Sequence, residues 1–146
     1  MIQTLMTLAA ALLLSANTGA AADLPSALVD PYLQIQVALA SDQFAPIAVH
    51  AQAVETAAAA LGADGAALTA SAKKLVAARD IAAARTAYGD VSSALEAYAV
   101  KTKSGFGKDV RLAYCPMVNK PWLQKDKEIR NPYYGASMLT CGSFKN

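Results

Sequence analysis

Histidine occurs once, at position 50, and cysteine twice, at 115 and 141, in a chain of 146 residues. With one histidine and no Gly-x-Ser-x-Gly elbow, no nucleophile, base and orienting group can be assembled, and no glycine-rich phosphate cradle is present. The chain therefore reads as a binding or interaction protein and not as an enzyme. Lysine and arginine are missing before Lys73, and the formal net charge is only +2. Basic residues scattered over a near-neutral chain do not make a nucleic-acid surface. Long apolar runs are also scarce, since the stretch from Leu5 to Leu14 is too short to span a bilayer comfortably.

That short run has another meaning. It is followed by small polar residues and then by Ala20, Ala21 and Ala22 before Asp23, the order of a cleaved export signal, although the segment ahead of it carries no lysine or arginine. We read residues 1–22 as a signal peptide and residues 23–146 as a single domain, which is as much core as this length supports. The expected location is the periplasm, with no stable membrane span after cleavage. In such an oxidising compartment two cysteines can pair.

What is abundant is alanine, and with it helical periodicity. Asp30 and Pro31 are a plausible cap and first-turn pair, after which Tyr32, Ile35 and Leu39 share a face. Pro46 and Gly62 bracket a second helix whose stripe is Ile47, Ala51, Val54, Ala58 and Leu61. A third, over about 66–78, aligns Leu68, Ala72 and Leu75. In the fourth, Ile81, Tyr88 and Leu95 form one row beside Ala84, Val91 and Tyr98, with Gly89 weakening it by about 1 kcal/mol relative to alanine. Short connections imply antiparallel neighbours. The expected fold is all-α: an up-and-down four-helix bundle with an irregular C-terminal cap. In that cap Val110, Leu112 and Tyr114 alternate like a short extended segment, KDKEIR reads as a solvated helical turn, and a short terminal helix starts at Pro132 and ends at Gly142.

Chemistry concentrates in the cap. Cys115, Met117, Met138 and Cys141 supply two thiols and two thioethers, a soft donor set that suits monovalent copper or silver and ill suits magnesium or calcium. Zinc accepts thiolates but binds thioethers weakly, so the methionines tilt the choice toward copper. His50 is a further candidate ligand. The competing reading is a Cys115–Cys141 disulfide with the methionines as packing; closing that loop stabilises by roughly 3 to 4 kcal/mol in the chain-entropy model. Both readings stay open from the residues alone. Tyr114, Trp122, Tyr133 and Tyr134 are expected to pack over the end of the bundle.

The run YCPMVNKPWLQKDKEIRNPYYGASMLTCG, within residues 114–142, resembles the closing motif of the domain of unknown function 3347 family. That motif reads approximately C-P-M, then W-L, then E-I-R-N-P-Y-x-G, then M-L-x-C-G. Cys115, Pro116, Met117, Trp122, Asn131, Pro132, Tyr133, Gly135, Met138, Cys141 and Gly142 occupy its positions, with a short spacer between Met117 and Trp122; His50 lies outside it. The resemblance implies a small extracytoplasmic helical domain found alone or attached to periplasmic adaptors of copper- and silver-type efflux pumps. On that basis the expected partners are a soft metal ion and an efflux adaptor or other envelope protein, and the expected role is copper tolerance.

Overall fold

A computed structural model describes residues 21–146, so nearly all of the expected export signal lies outside the described residues. Four helices come first: α1 (Ser26–Ala40), α2 (Ile47–Ala59), α3 (Ala66–Val76) and α4 (Ile81–Thr102), with a 3-10 turn at Gly62–Gly65 between α2 and α3. Each helix packs against the next in the chain. Most of the stripe residues named above form the core: Tyr32, Ile35, Leu39, Ile47, Ala51, Val54, Ala58, Leu68, Ala72, Leu75, Ala84, Tyr88, Val91 and Leu95 are buried, while Leu61, Ile81 and Tyr98 are half-buried against it. Helix α4 runs unbroken through Gly89, capped at its start by Asp80, whose carboxylate accepts from the amide of Ala83 at 2.8 Å. At its end Lys103 adopts a left-handed conformation, φ 54°.

Helix α1 starts a turn earlier than Asp30 and Pro31 suggest. Pro31 lies inside it, and Pro25 occupies the cap position. The extra turn buries Leu28 and Val29, extending the apolar row 28, 32, 35, 39 upstream. That burial offsets the one backbone hydrogen bond that a proline cannot donate.

The fold is not all-α. After α4 come three strands, β1 (Arg111–Cys115), β2 (Lys120–Gln124) and β3 (Ser143–Phe144), in an antiparallel sheet of order β2-β1-β3. Residues 116–119 turn the chain between β1 and β2, with Asn119 left-handed at φ 54° and its side-chain oxygen accepting from the Tyr114 hydroxyl. Pro121 is tolerated because β2 is an edge strand. The alternation noticed at 110–114 belongs to a real strand, but its buried side is the other one, Ala113 and Cys115.

Two further expectations in the cap are corrected. KDKEIR is irregular and exposed over 125–128, and the terminal helix shrinks to a 3-10 turn at Gly135–Met138. The reason is competition for backbone groups. Asn131 donates its amide to the carbonyl of Leu139 at 2.7 Å, and Gln124 captures the carbonyls of Asp126 and Glu128 at 2.9 and 2.7 Å, so these segments close as loops around buried side chains.

The sheet seals the bundle. Strand β2 packs against both α4 and α1. Beneath it Tyr32 of α1 stacks on Tyr88 of α4, ring centroids 4.9 Å apart, and the Tyr32 hydroxyl bonds Ser92 at 2.7 Å and accepts from the amide of Leu123 at 3.2 Å.

Candidate functional site

The two cysteines, 26 positions apart in the chain (141 − 115), meet where β1 and the approach to β3 run side by side. The pairing of Ala113 with Phe144 and Tyr114 with Ser143, continued by one step, sets Cys115 opposite Gly142. Cys115 is fully buried and Cys141 half-buried, and both are free thiols. Burial, and then the neighbouring Cys115 thiol, push the Cys141 thiol above its ordinary pKa, as expected of two sulfurs in contact.

Asn131 stands between the two cysteines. It is fully buried, and its side-chain amide donates to Cys115 Sγ at 3.2 Å and to the Cys141 carbonyl at 2.7 Å. Its side-chain oxygen accepts from the amide of Tyr133 at 2.8 Å, and its own carbonyl accepts from the amide of Gly135 at 3.2 Å. The residue is therefore fixed by the loop it organises. Nothing in its spacing from either cysteine announces this contact, although it is part of the family-like motif.

Aromatic rings stand beside the segment that carries Cys141. Trp122 meets Tyr133 edge to face, centroids 6.0 Å apart, and its indole N–H donates to Gln124 at 2.8 Å. Gly142 takes φ +132°, and a Cβ there would lie 2.7 Å from the Trp122 ring and 2.8 Å from the Tyr114 carbonyl, so the chain beside Cys141 passes directly against the indole. The phenol of Tyr133 donates to the Pro121 carbonyl.

The remaining candidates are placed differently. Met117 is 64% exposed in the β1–β2 turn, so its thioether is presented to solvent. Met138 is half-buried at the end of the second 3-10 turn, its carbonyl accepting from the Cys141 amide at 3.1 Å. His50 is half-buried on α2, which packs against α1, α3 and the first 3-10 turn, none of which carries a sulfur of the set. Among the described residues no three His, Cys, Asp or Glu side chains gather as a metal cage. The donor set that the fold brings together is thus two thiols, with Met138 next along the chain.

A cleft of about 400 Å³ opens on the far side of Tyr133, lined by Arg85, Asp90, Lys120 and Tyr134. Its charges are already matched, Lys120 to Asp90 at 3.1 Å and Arg85 to Asp42 at 2.6 Å. It therefore offers no unpaired charge to a ligand.

Compared with known proteins, the chain matches no family model, no curated protein and no solved structure. Among the described residues no helix is long and apolar enough to cross a membrane.

Proposed function

We propose that this is an exported, non-enzymatic accessory protein of copper tolerance that holds a soft monovalent cation, copper or silver, between Cys115 and Cys141. The observation that carries the reading is the meeting of two free thiols from distant parts of the chain, one of them accepting an amide hydrogen bond from Asn131. Two thiolates fit monovalent copper or silver, which are soft and accept low coordination numbers. The Asn131 amide supplies the kind of outer hydrogen bond that orients a metal ligand. Met138, whose carbonyl accepts from the Cys141 amide, is the candidate for a third donor, whereas Met117 is exposed in the turn and free to meet a partner. His50 has no part in the site. Both thiols must shed their protons before they bind, so capture weakens as pH falls. The likeness of residues 114–142 to a motif linked with copper- and silver-type efflux adaptors favours the same class of cation, and a periplasmic adaptor as the partner.

Titration of the reduced protein, residues 23–146, with monovalent copper against a chromophoric chelator tests this. One equivalent should bind, Cys115→Ser or Cys141→Ser should each lower affinity at least ~10-fold, Met138→Leu should lower it less, and Met117→Leu should leave it unchanged. Equal affinity in wild type and both cysteine variants would sink the proposal.

The proximity of the sulfurs also favours a second reading, an interaction module stapled by a Cys115–Cys141 disulfide. Loss of two hydrogens by mass in protein recovered from the cell envelope, together with no copper binding after reduction, would establish it.

A further inference from the structure

From the contacts of Asn131 we infer that this residue is the positioning element of the cysteine pair: it fixes the distance between the two sulfurs and thereby sets how readily they close on each other or on a shared cation. The inference rests on the reading of Cys115 and Cys141 as the functional site, and it reaches beyond that reading to a residue that is itself no ligand.

The argument starts from connectivity. Cys115 ends β1, while Cys141 precedes β3, and that strand is only two residues long. So short a strand cannot by itself hold the 139–142 segment in register. The tie is Asn131, whose two amide protons go to different partners: one to Cys115 Sγ at 3.2 Å and one to the Cys141 carbonyl at 2.7 Å. A single planar group therefore spans both cysteine-bearing segments. It cannot swing away, because its oxygen is held by the Tyr133 amide at 2.8 Å and its backbone amide by the Leu139 carbonyl at 2.7 Å. With no exposed surface, it also has no water to exchange these bonds with. Holding two reacting groups at fixed separation raises their effective concentration, which favours disulfide closure and two-point metal binding alike.

Asn131→Ser separates these roles. A serine hydroxyl can still accept from the amide two residues on, as asparagine and serine both do in such turns, but it cannot reach across to Cys115. In a glutathione redox buffer the wild-type dithiol gives up two electrons and two protons to glutathione disulfide, forming the Cys115–Cys141 bond and releasing two molecules of glutathione. The variant should show an equilibrium constant for this exchange at least ~10-fold lower, because releasing the constraint lowers the effective concentration of one thiol at the other. Its monovalent copper affinity should fall by a similar factor. A role confined to folding would leave a different signature: Asn131→Ser would then destabilise a Cys115→Ala/Cys141→Ala background as much as it destabilises wild type, with the exchange constant of the folded variant unchanged, and that result overturns the inference.

Should Asn131→Ser not fold, the wild-type protein still decides the matter. The side-chain amide resonances of Asn131 in a nitrogen-edited spectrum should move on oxidation or on addition of silver ion, and unmoved resonances in both cases overturn the inference. A wild type that binds no copper but whose exchange constant depends on Asn131 retains the positioning role while the cation-holding proposal falls.

Discussion

Tyr32 and Tyr88 are stacked neighbours, both wholly buried, yet their hydroxyls have opposite fates. That of Tyr32 bonds Ser92 and the Leu123 amide, whereas that of Tyr88 has no hydrogen-bond partner. A buried hydroxyl without a partner has lost its water and gained nothing, so Tyr88→Phe should leave stability unchanged or raise it slightly. Tyr32→Phe should cost about 1 to 3 kcal/mol, because it strands a buried strand amide. Denaturant unfolding of the two variants checks the contrast, and equal losses would contradict it. Gly142→Ala combines a left-handed φ with a clash against Trp122 and should cost about 2 to 4 kcal/mol. The same measurement reads it, together with a drop in tryptophan burial by fluorescence. At this scale the sequence makes the cysteines legible, because soft donors are rare residue types whose chemistry does not depend on context. Asn131 is not legible in the same way, since an asparagine before a proline is most simply a turn or a cap, and only the folded chain brings its amide to Cys115. Met117 shows the converse: its nearness to Cys115 in sequence suggests a shared site, but a turn residue two positions beyond a buried strand end points to solvent.

Among the elements, the helices were readable because each is long enough to repeat its apolar spacing several times. The sheet was not. Strand β2 buries Pro121, Trp122, Leu123 and Gln124 in succession, so it shows no alternation, and β3 is too short to carry a pattern. Two prolines compete for the start of α1, and burial of Leu28 and Val29 decides for the earlier one. Beside the pairs Lys120–Asp90 and Lys145–Glu96, which join the sheet end of the cap to α4, one charged cluster ties the 132–136 loop to the helices. Arg85 of α4 donates to the carbonyls of Leu39 and Pro132 at 2.9 and 3.0 Å and pairs with Asp42, whose second oxygen accepts from the Ala136 amide at 3.0 Å. The Arg85 hydrogen bond, with that amide behind it, holds the Asp42 carboxyl below the usual carboxylate range. A depressed folded value means that the stabilisation is fully present above the unfolded pKa, near 4, and is lost as pH falls through the folded one. Acid melting curves of wild type and Asp42→Asn should therefore converge below about pH 4, with wild type the more stable at neutral pH. Parallel curves over that range would show that the contact does not tie the cap down.

For the whole molecule, the decisive feature is that helices and cap share one aromatic core. Tyr88 lies between Tyr32 of α1 and Tyr133 of the cap, its ring centroid 4.9 Å from the first and 6.0 Å from the second. Burial raises all three phenols, Tyr32 to about 12, and the hydrogen bonds that Tyr32 makes only partly counter this. The sign follows directly. Below pH 10 the phenols are neutral in both states and the contribution is complete; between 10 and 12 the unfolded chain ionises while the folded one resists, so stability drains away as pH rises. Tyr32 alone accounts for a loss of about 3 kcal/mol across that interval. Because the rings come from both ends of the chain, ionising one of them requires opening helix and cap contacts together. The expected result of an alkaline titration is a single transition in which tyrosinate absorbance, far-ultraviolet helicity and tryptophan fluorescence change at the same pH. Loss of the tryptophan signal well before helicity would mean that the sheet and the sulfur site detach as a separate unit, and that the bundle does not hold Cys115 and Cys141 in place.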